Sequence, residues 1–260
     1  MSRIITLTTD FGDKDYYVGA IKGIVYSINP LASIVDISHQ IKFGDIGEAS
    51  FVIKAAYKCF PKGTIHLVVV DPGVGSDRRI VIVKSNDYYF VAPDNGVLSY
   101  AIDQLKDIKI FEVTNKKYFL KNISHTFHGR DIFAPVVAYL AKGVAAKEFG
   151  EKIDNLVVSS IKKVYKKDQT LIGEVVYIDK FGNLITNFTP HDLSSLRNIY
   201  VRINNCEMFQ INSFYAQSKI GSLLAIWGSY GYLEISVNQG NAEKYLNAKK
   251  GDIVSIRESK

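Results

Sequence analysis

Cysteine is nearly absent from this chain: among 260 residues only Cys59 and Cys206 occur, far apart and in no ligand spacing. A disulfide framework and a structural zinc site are therefore excluded as organising devices. No window approaches the ~20 apolar residues of a membrane-spanning helix, and the opening MSRIITLTTDFGDKD lacks the apolar centre of a secretory signal. The expectation is a soluble, cytoplasmic protein. Lysine and arginine exceed aspartate and glutamate by 32 to 26, but the basic residues are scattered and the one dense run is KKVYKKD at 162–168. That run reads as a solvated linker or rim, so a nucleic-acid partner is not expected. A phosphate loop is missing too. DPGVGSDRR, residues 71–79, carries glycines but has neither the Gly-Lys-Ser/Thr ending nor the following helix.

Hydrophobic residues make up 47% of the chain, enough for one large core or two modest ones. RIITLTT, residues 3–9, is apolar and β-branched almost throughout, the pattern of a strand buried on both faces of a parallel sheet. Tyr17, Ala20, Ile21, Ile24, Val25 and Ile28 then recur at helical spacing until Pro30. SIVDI reads as a second strand, and Ile46, Ala49, Ile53, Ala56 and Tyr57 mark a second helix. Strands at 64–70, 79–83 and 88–92, a helix around VLSYAIDQL and another over DIFAPVVAYLAKG continue the alternation. This predicts a layered, Rossmann-like α/β domain over 1–160. Beyond the charged stretch, LIGEVVYID, GNLITN, IYVRIN, LLAIWG, YLEISVN and DIVSIR are short strands between turn residues. They predict a small C-terminal β-barrel domain over 169–260.

Ligands of open α/β sheets sit beyond the carboxyl ends of the strands, and Asp10, Asp71 and Asp94 all fall at such ends. Aspartate before glycine also caps turns, so no one of the three is a site by itself. A carboxylate at Asp10 is suited to accept two hydrogen bonds from a vicinal diol such as a ribose. In TFHGRDIFAP, residues 126–135, His128 precedes a helix and can exchange protons near neutrality. With Asp71 and Arg78 it would make a set of acid, cation and imidazole able to hold one water. His39, His66, His125 and His191 lack such company and read as structural. In IDKFGNLITN, residues 178–187, Asp179, Asn183 and Asn187 crowd a turn, and asparagine suits a purine edge or an amino-acid head group. WGSYGYLEISVNQGNA, residues 227–242, adds aromatic rings beside glycines, a stacking wall or simply core.

Taken in order, LTTDFG, DPGVGSDRR, APDNG, TFHGRDIFAP, IDKFGNLITN and SYGYLEISVNQGNA resemble the S-adenosylmethionine (SAM) hydroxide adenosyltransferases, hydrolytic relatives of the fluorinases and chlorinases. The resemblance spans nearly the whole chain. It implies hydrolysis of SAM to adenosine and L-methionine, and a homotrimer whose active sites lie between the N-terminal domain of one subunit and the C-terminal domain of the next. It further implies that Asp10 holds the ribose diol and that Asp71, Arg78 and His128 handle the water. Asn183, Ser229, Glu234 and Val237 would lie about the adenosine, and Asp179, Asn187 and Tyr230 about the methionine part. No metal and no cofactor beyond the substrate is expected, because no His, Cys and carboxylate cluster shows ligand spacing. A non-catalytic sensor of adenosine or SAM, and halide-dependent adenosyl transfer, are the alternatives the residues leave open.

Overall fold

The run IITLTT forms strand β1, Ile4–Thr9, with every residue after the first buried. A strand covered on both faces requires helices on both. The computed structural model, which describes residues 3–159, 163–194 and 196–258, supplies them. After β1 come helix α1 (Tyr17–Ile28), β2 (Ser33–Ser38), α2 (Ile46–Ala56), β3 (Ile65–Val69), β4 (Ile80–Lys84), β5 (Tyr89–Pro93), α3 (Ser99–Ile102), β6 (Lys109–Glu112), α4 (Ala134–Ala141) and β7 (Lys152–Ile153). The strands form one seven-stranded sheet in the order β2-β1-β3-β5-β4-β6-β7. It is mixed: β1 lies parallel to β2 and β3, and β3 to β5, whereas β4 pairs antiparallel with β5 and β6, and β7 antiparallel with β6.

Alternation along the strands divides the apolar residues between two cores. Ile65, Leu67, Val69, Ile80, Ile82 and Val91 pack with Ile21 and Val25 of α1 and Val136, Val137 and Leu140 of α4. Their neighbours Val68, Val70, Val81, Val83, Phe90 and Ala92 face Ala49 and Ile53 of α2 and Ala101 of α3. The helix expected from Asp131 starts instead as a π-helical turn, Gly129–Phe133. Pro135 explains it: lacking an N–H, it cannot bond the Asp131 carbonyl, which accepts from Leu120 N–H at 2.9 Å instead. The helix predicted around VLSYAIDQL shortens to the single turn of α3.

The chain divides near residue 160 into two compact units. In the second, β8 (Tyr165–Lys167), β9 (Thr170–Ile178), β10 (Leu184–Thr186), β11 (Ile199–Ile203), β12 (Cys206–Met208), β13 (Ile211–Asn212), β14 (Leu223–Trp227), β15 (Leu233–Val237) and β16 (Ile253–Glu258) form one sheet, with helix α5 (Ala242–Leu246) between the last two. The path β12-β11-β16-β9-β10-β15-β14-β13 curls into a nearly barrel-shaped form around Val175, Val201, Ile203, Ile235, Val254 and Ile256. Of the stretch read as a linker, Lys162 lies outside the described residues, and 165–167 are strand β8, hydrogen-bonded to β9. Exposed lysines on an edge strand disfavour pairing with another chain, so high charge there is compatible with a strand. Among the described residues no helix is long and apolar enough to cross a membrane.

One histidine sits in the middle of the first sheet. His66 on β3 is fully buried, stacked on Phe90 at 5.1 Å and ringed by Tyr57 and Tyr88. Its Nδ1 is 2.8 Å from Thr6 Oγ1, and its Nε2 is buried without a hydrogen-bond partner. Burial pushes its pKa down from 6.5 to about 3. The neutral ring therefore contributes stability that is fully present above pH 6.5 and is lost as pH falls toward about 3. A His66→Phe variant is expected to lose about 2 kcal/mol less than the wild type between pH 6.5 and about pH 5, measured by urea unfolding. Parallel pH profiles for the two proteins would refute it.

Candidate active site

The chain leaves β1 to build β2 on one side and crosses back to build β3 on the other. The loops at the carboxyl ends of β1 and β3 therefore part, and this is where open α/β sheets leave a crevice. Here the crevice is a cleft of about 340 Å³ lined by Asp10, Phe11, Phe43, Asp71, Phe127 and His128, among others. Asp10 follows β1 directly and accepts from the Gly44 N–H at 2.9 Å through Oδ2. Its carboxyl is shifted above the ordinary range, chiefly by burial and further by the charge of Asp71, although two backbone N–H groups pull the other way.

Asp71 stands one residue past Val70, and the turn after it brings Arg78 back against it. Ser76 Oγ donates to the Gly73 carbonyl at 2.7 Å within this turn. Gly75 has φ +83°, and a Cβ there would collide with the backbone carbonyl of His125, so glycine alone lets the turn pass beneath the segment leading to His128. Arg78 Nε lies 2.9 and 2.8 Å from the two Asp71 oxygens, and its Nη2 bonds both Asp71 Oδ2 and, at 2.9 Å, His128 Nδ1. The side chains of Arg78 and Asp71 are only 11% and 5% exposed.

A guanidinium offers donors only, so His128 Nδ1 must accept and the ring proton resides on Nε2. Burial, and next the Arg78 charge, hold the His128 pKa below 6.5, consistent with that neutral form. The cluster thus presents a carboxylate with lone pairs to spare, an imidazole N–H donor and a cation.

Asp94 does not join it. Arg79 Nε donates to Asp94 Oδ2 at 2.9 Å, Val157 N–H donates to Oδ1 at 2.8 Å, and Arg79 Nη1 reaches Asn155 at 3.0 Å. The third strand-end carboxylate thus ties the segment after β7 to the sheet. The two arginines of DPGVGSDRR diverge, Arg78 to Asp71 and His128 and Arg79 into this anchor. The cleft walls were not visible in the residue pattern: Phe127 packs edge-on against Tyr17 at 5.1 Å and Phe11 at 6.0 Å, and Phe43 lines the cleft while 86% exposed. Their type alone does not separate them from core aromatics.

In the second unit the turn after β9 closes on Asp179. Its Oδ1 accepts from the N–H groups of Phe181 and Asn183 and its Oδ2 from Asn183 Nδ2, each at 2.9 Å. Asn187 Oδ1 accepts from Glu174 N–H at 2.8 Å, which commits that end of its amide to β9. Glu234, opposite Ile185 in the sheet, is buried and accepts through Oε1 from Tyr215 Oη at 2.5 Å and Ser236 Oγ at 2.7 Å. Burial first, and then this bond, push the Tyr215 hydroxyl up to about 12. Val237 turns into the core of the second unit with Leu233 and Ile235, whereas Ser229 and Tyr230 are exposed at the turn before β15. Among the described residues no three His, Cys, Asp or Glu side chains converge as a metal-binding group.

The model of the SAM hydroxide adenosyltransferase N-terminal domain matches residues 5–150, and that of the C-terminal domain matches residues 173–255. A protein of Methanocaldococcus jannaschii named (R)-S-adenosyl-L-methionine hydrolase is 35% identical, over 97% of this chain and 95% of that protein. One of the same name from Salinispora tropica is 33% identical, over 97% of each. A crystal structure of a conserved Thermotoga maritima protein superposes with a TM-score of 0.90 at 38% identity, covering 98% of this chain and 100% of that one. Both halves of the chain match in order, and it belongs to the SAM hydroxide adenosyltransferase family.

Proposed function

We propose that the protein hydrolyses SAM, a water oxygen attacking the ribose C5′ while the C5′–S bond breaks and its electron pair returns to sulfur. The products are adenosine, L-methionine and one proton. The observation that carries this reading is that Asp71 and His128, joined through Arg78, line the same cleft as Asp10. Methionine leaves as a neutral thioether and needs no acid. The demand falls on a weak nucleophile, which must be held in line with the departing sulfur. Asp10 would fix the ribose through its diol, while Asp71 and the His128 Nε2–H hold the water between an acceptor and a donor. With His128 Nδ1 accepting from Arg78 and its Nε2 already protonated, Asp71, whose oxygens keep lone pairs beyond their bonds to Arg78, would take the proton.

The finer fold reading follows the same line. The order β2-β1-β3-β5 supports a Rossmann-like first domain, and the curled second sheet supports a β-barrel. We further propose a homotrimer in which Asp179, Asn183, Ser229, Tyr230 and their neighbours from one subunit complete the cleft of the next. Support comes from apolar surface left in water beside both residue sets: Phe43 at the cleft, and Phe181, 73% exposed, within the Asp179 turn. No metal and no further cofactor enters this scheme.

Incubation of the purified protein with SAM, followed by chromatography, tests the reading. Adenosine and methionine are expected in equal amounts, unaffected by EDTA and by added chloride or fluoride. Intact SAM bound stoichiometrically would indicate a sensor. A 5′-halogenated nucleoside would indicate halide transfer, which the negative charge of Asp71 opposes at close range.

A further inference from the structure

Behind Asp10 runs a chain of polar side chains that the proposed chemistry does not use. Lys22 Nζ donates to Asp36 Oδ2 at 2.6 Å. His39 Nε2, shut off from solvent, lies 3.1 Å from Asp36 Oδ1, within ion-pair distance but outside hydrogen-bond alignment. His39 Nδ1 is 2.9 Å from Thr9 Oγ1, and the Phe11 N–H points at that oxygen from 3.3 Å. The backbone joins in, since the His39 carbonyl accepts from the Gly12 N–H at 2.7 Å and Gln40 Nε2 donates to Asp13 Oδ1 at 2.6 Å.

The directions of these bonds follow from the groups themselves. Burial pushes the Asp36 carboxyl up, but the bonds from Lys22 and His39 prevail and hold it below the ordinary range, so it is an anion and an acceptor only. His39 must then show it an Nε2–H. In the neutral ring Nδ1 accepts the Thr9 hydroxyl proton, which frees the Thr9 lone pairs for Phe11 N–H. The contacts thus run in one sense from the surface cation Lys22 to the residue following Asp10. Thr9 is fully buried and Asp10 lies between the two points this chain holds, Thr9 and Phe11.

We infer that His39 is a positioning residue for Asp10: through Thr9 and the Phe11 N–H it sets the turn that aims the Asp10 carboxylate into the cleft. The imidazole serves as a two-ended spacer between the β2 end and the β1 end, a task that neither an apolar side chain nor a one-ended polar one performs completely. The inference rests on the reading of Asp10 as the acceptor of the ribose diol.

Calorimetric binding of adenosine and of 2′,3′-dideoxyadenosine to the full-length protein separates the two claims. The wild type is expected to prefer adenosine by on the order of 100-fold, the loss of two hydrogen bonds to a charged group. Asp10→Ala should abolish the preference. His39→Leu and the nearly isosteric Thr9→Val should each reduce it to about 10-fold, and His39→Asn, whose amide can stand in for Nδ1 toward Thr9, should keep most of it. If Asp10→Ala abolishes the preference while His39→Leu and Thr9→Val retain it in full, the positioning role is wrong and the diol reading survives. A wild type that binds the two nucleosides equally, or binds neither, overturns the diol reading and the inference with it. Thr9→Val decides the matter should His39→Leu fail to fold.

Discussion

Asp71→Asn is expected to lower kcat for SAM hydrolysis by about 10²–10⁴-fold, the range lost with a general base. The substitution keeps shape and leaves an amide oxygen for Arg78, yet removes the charge that would accept the proton of the attacking water. His128→Asn is expected to cost less, about 10-fold, because in the proposed scheme the ring, accepting from Arg78, would donate to the water and take no proton. Steady-state assays of both variants, run well below their melting temperatures, make the comparison. A His128→Asn loss equal to that of Asp71→Asn would move the proton to the imidazole. The pH profile supplies an independent reading. Since burial and then Arg78 hold the His128 pKa below 6.5, kcat/KM of the wild type should fall only as pH drops through that lowered value. Protonated His128 would turn an N–H toward the Arg78 cation and open the cluster. His128→Asn should lack that acid limb.

Much of this arrangement is legible in the sequence, for a physical reason. A strand buried on both faces has an unbroken apolar sequence, so the ends of RIITLTT and TIHLVVV mark where the sheet stops and loop chemistry begins. Asp10 and Asp71 stand at those ends. What failed to show depends on contacts between distant residues. Asp94 carries the same local signature as Asp71, and only the paths of Arg78 and Arg79 in three dimensions send one carboxylate to the cleft and the other to Val157. β6 is four residues long and half charged, and β8 is a lysine-rich edge, so neither has a hydrophobic period to read. The π-turn beside His128 arises because Leu120, fifteen residues before Pro135, takes the carbonyl that this proline cannot use. His39 looked solitary in sequence because its partners, Thr9 and Asp36, belong to two different strand ends.

Asp10→Ala is expected to reduce kcat/KM for SAM by on the order of 10²–10³-fold, from the loss of two charge-assisted hydrogen bonds at about 1.5–3 kcal/mol each, discounted for the water that fills the gap. Asp10→Asn should fall in between, since its amide oxygen can still accept from Gly44 N–H and from one hydroxyl. How the loss divides between the two kinetic constants tells what the carboxylate does. If it only tethers the nucleoside, KM rises and kcat stays, as for any contact equally strong in ground and transition states. If it also sets the angle between the water, C5′ and sulfur, kcat falls as well, because alignment is worth most at the transition state. The position of Asp10 argues for the second outcome. It shares one cleft with Asp71, and its pKa is raised by burial first and further by the charge of Asp71, so on the proposed scheme the fixed end of the ribose and the held water would be neighbours. The same shift predicts that ribose binding weakens on acidification at a higher pH than an ordinary carboxyl would give, and that Asp10→Asn removes this dependence. An unchanged kcat in Asp10→Ala would confine the residue to binding and leave alignment to the Asp71–Arg78–His128 cluster alone.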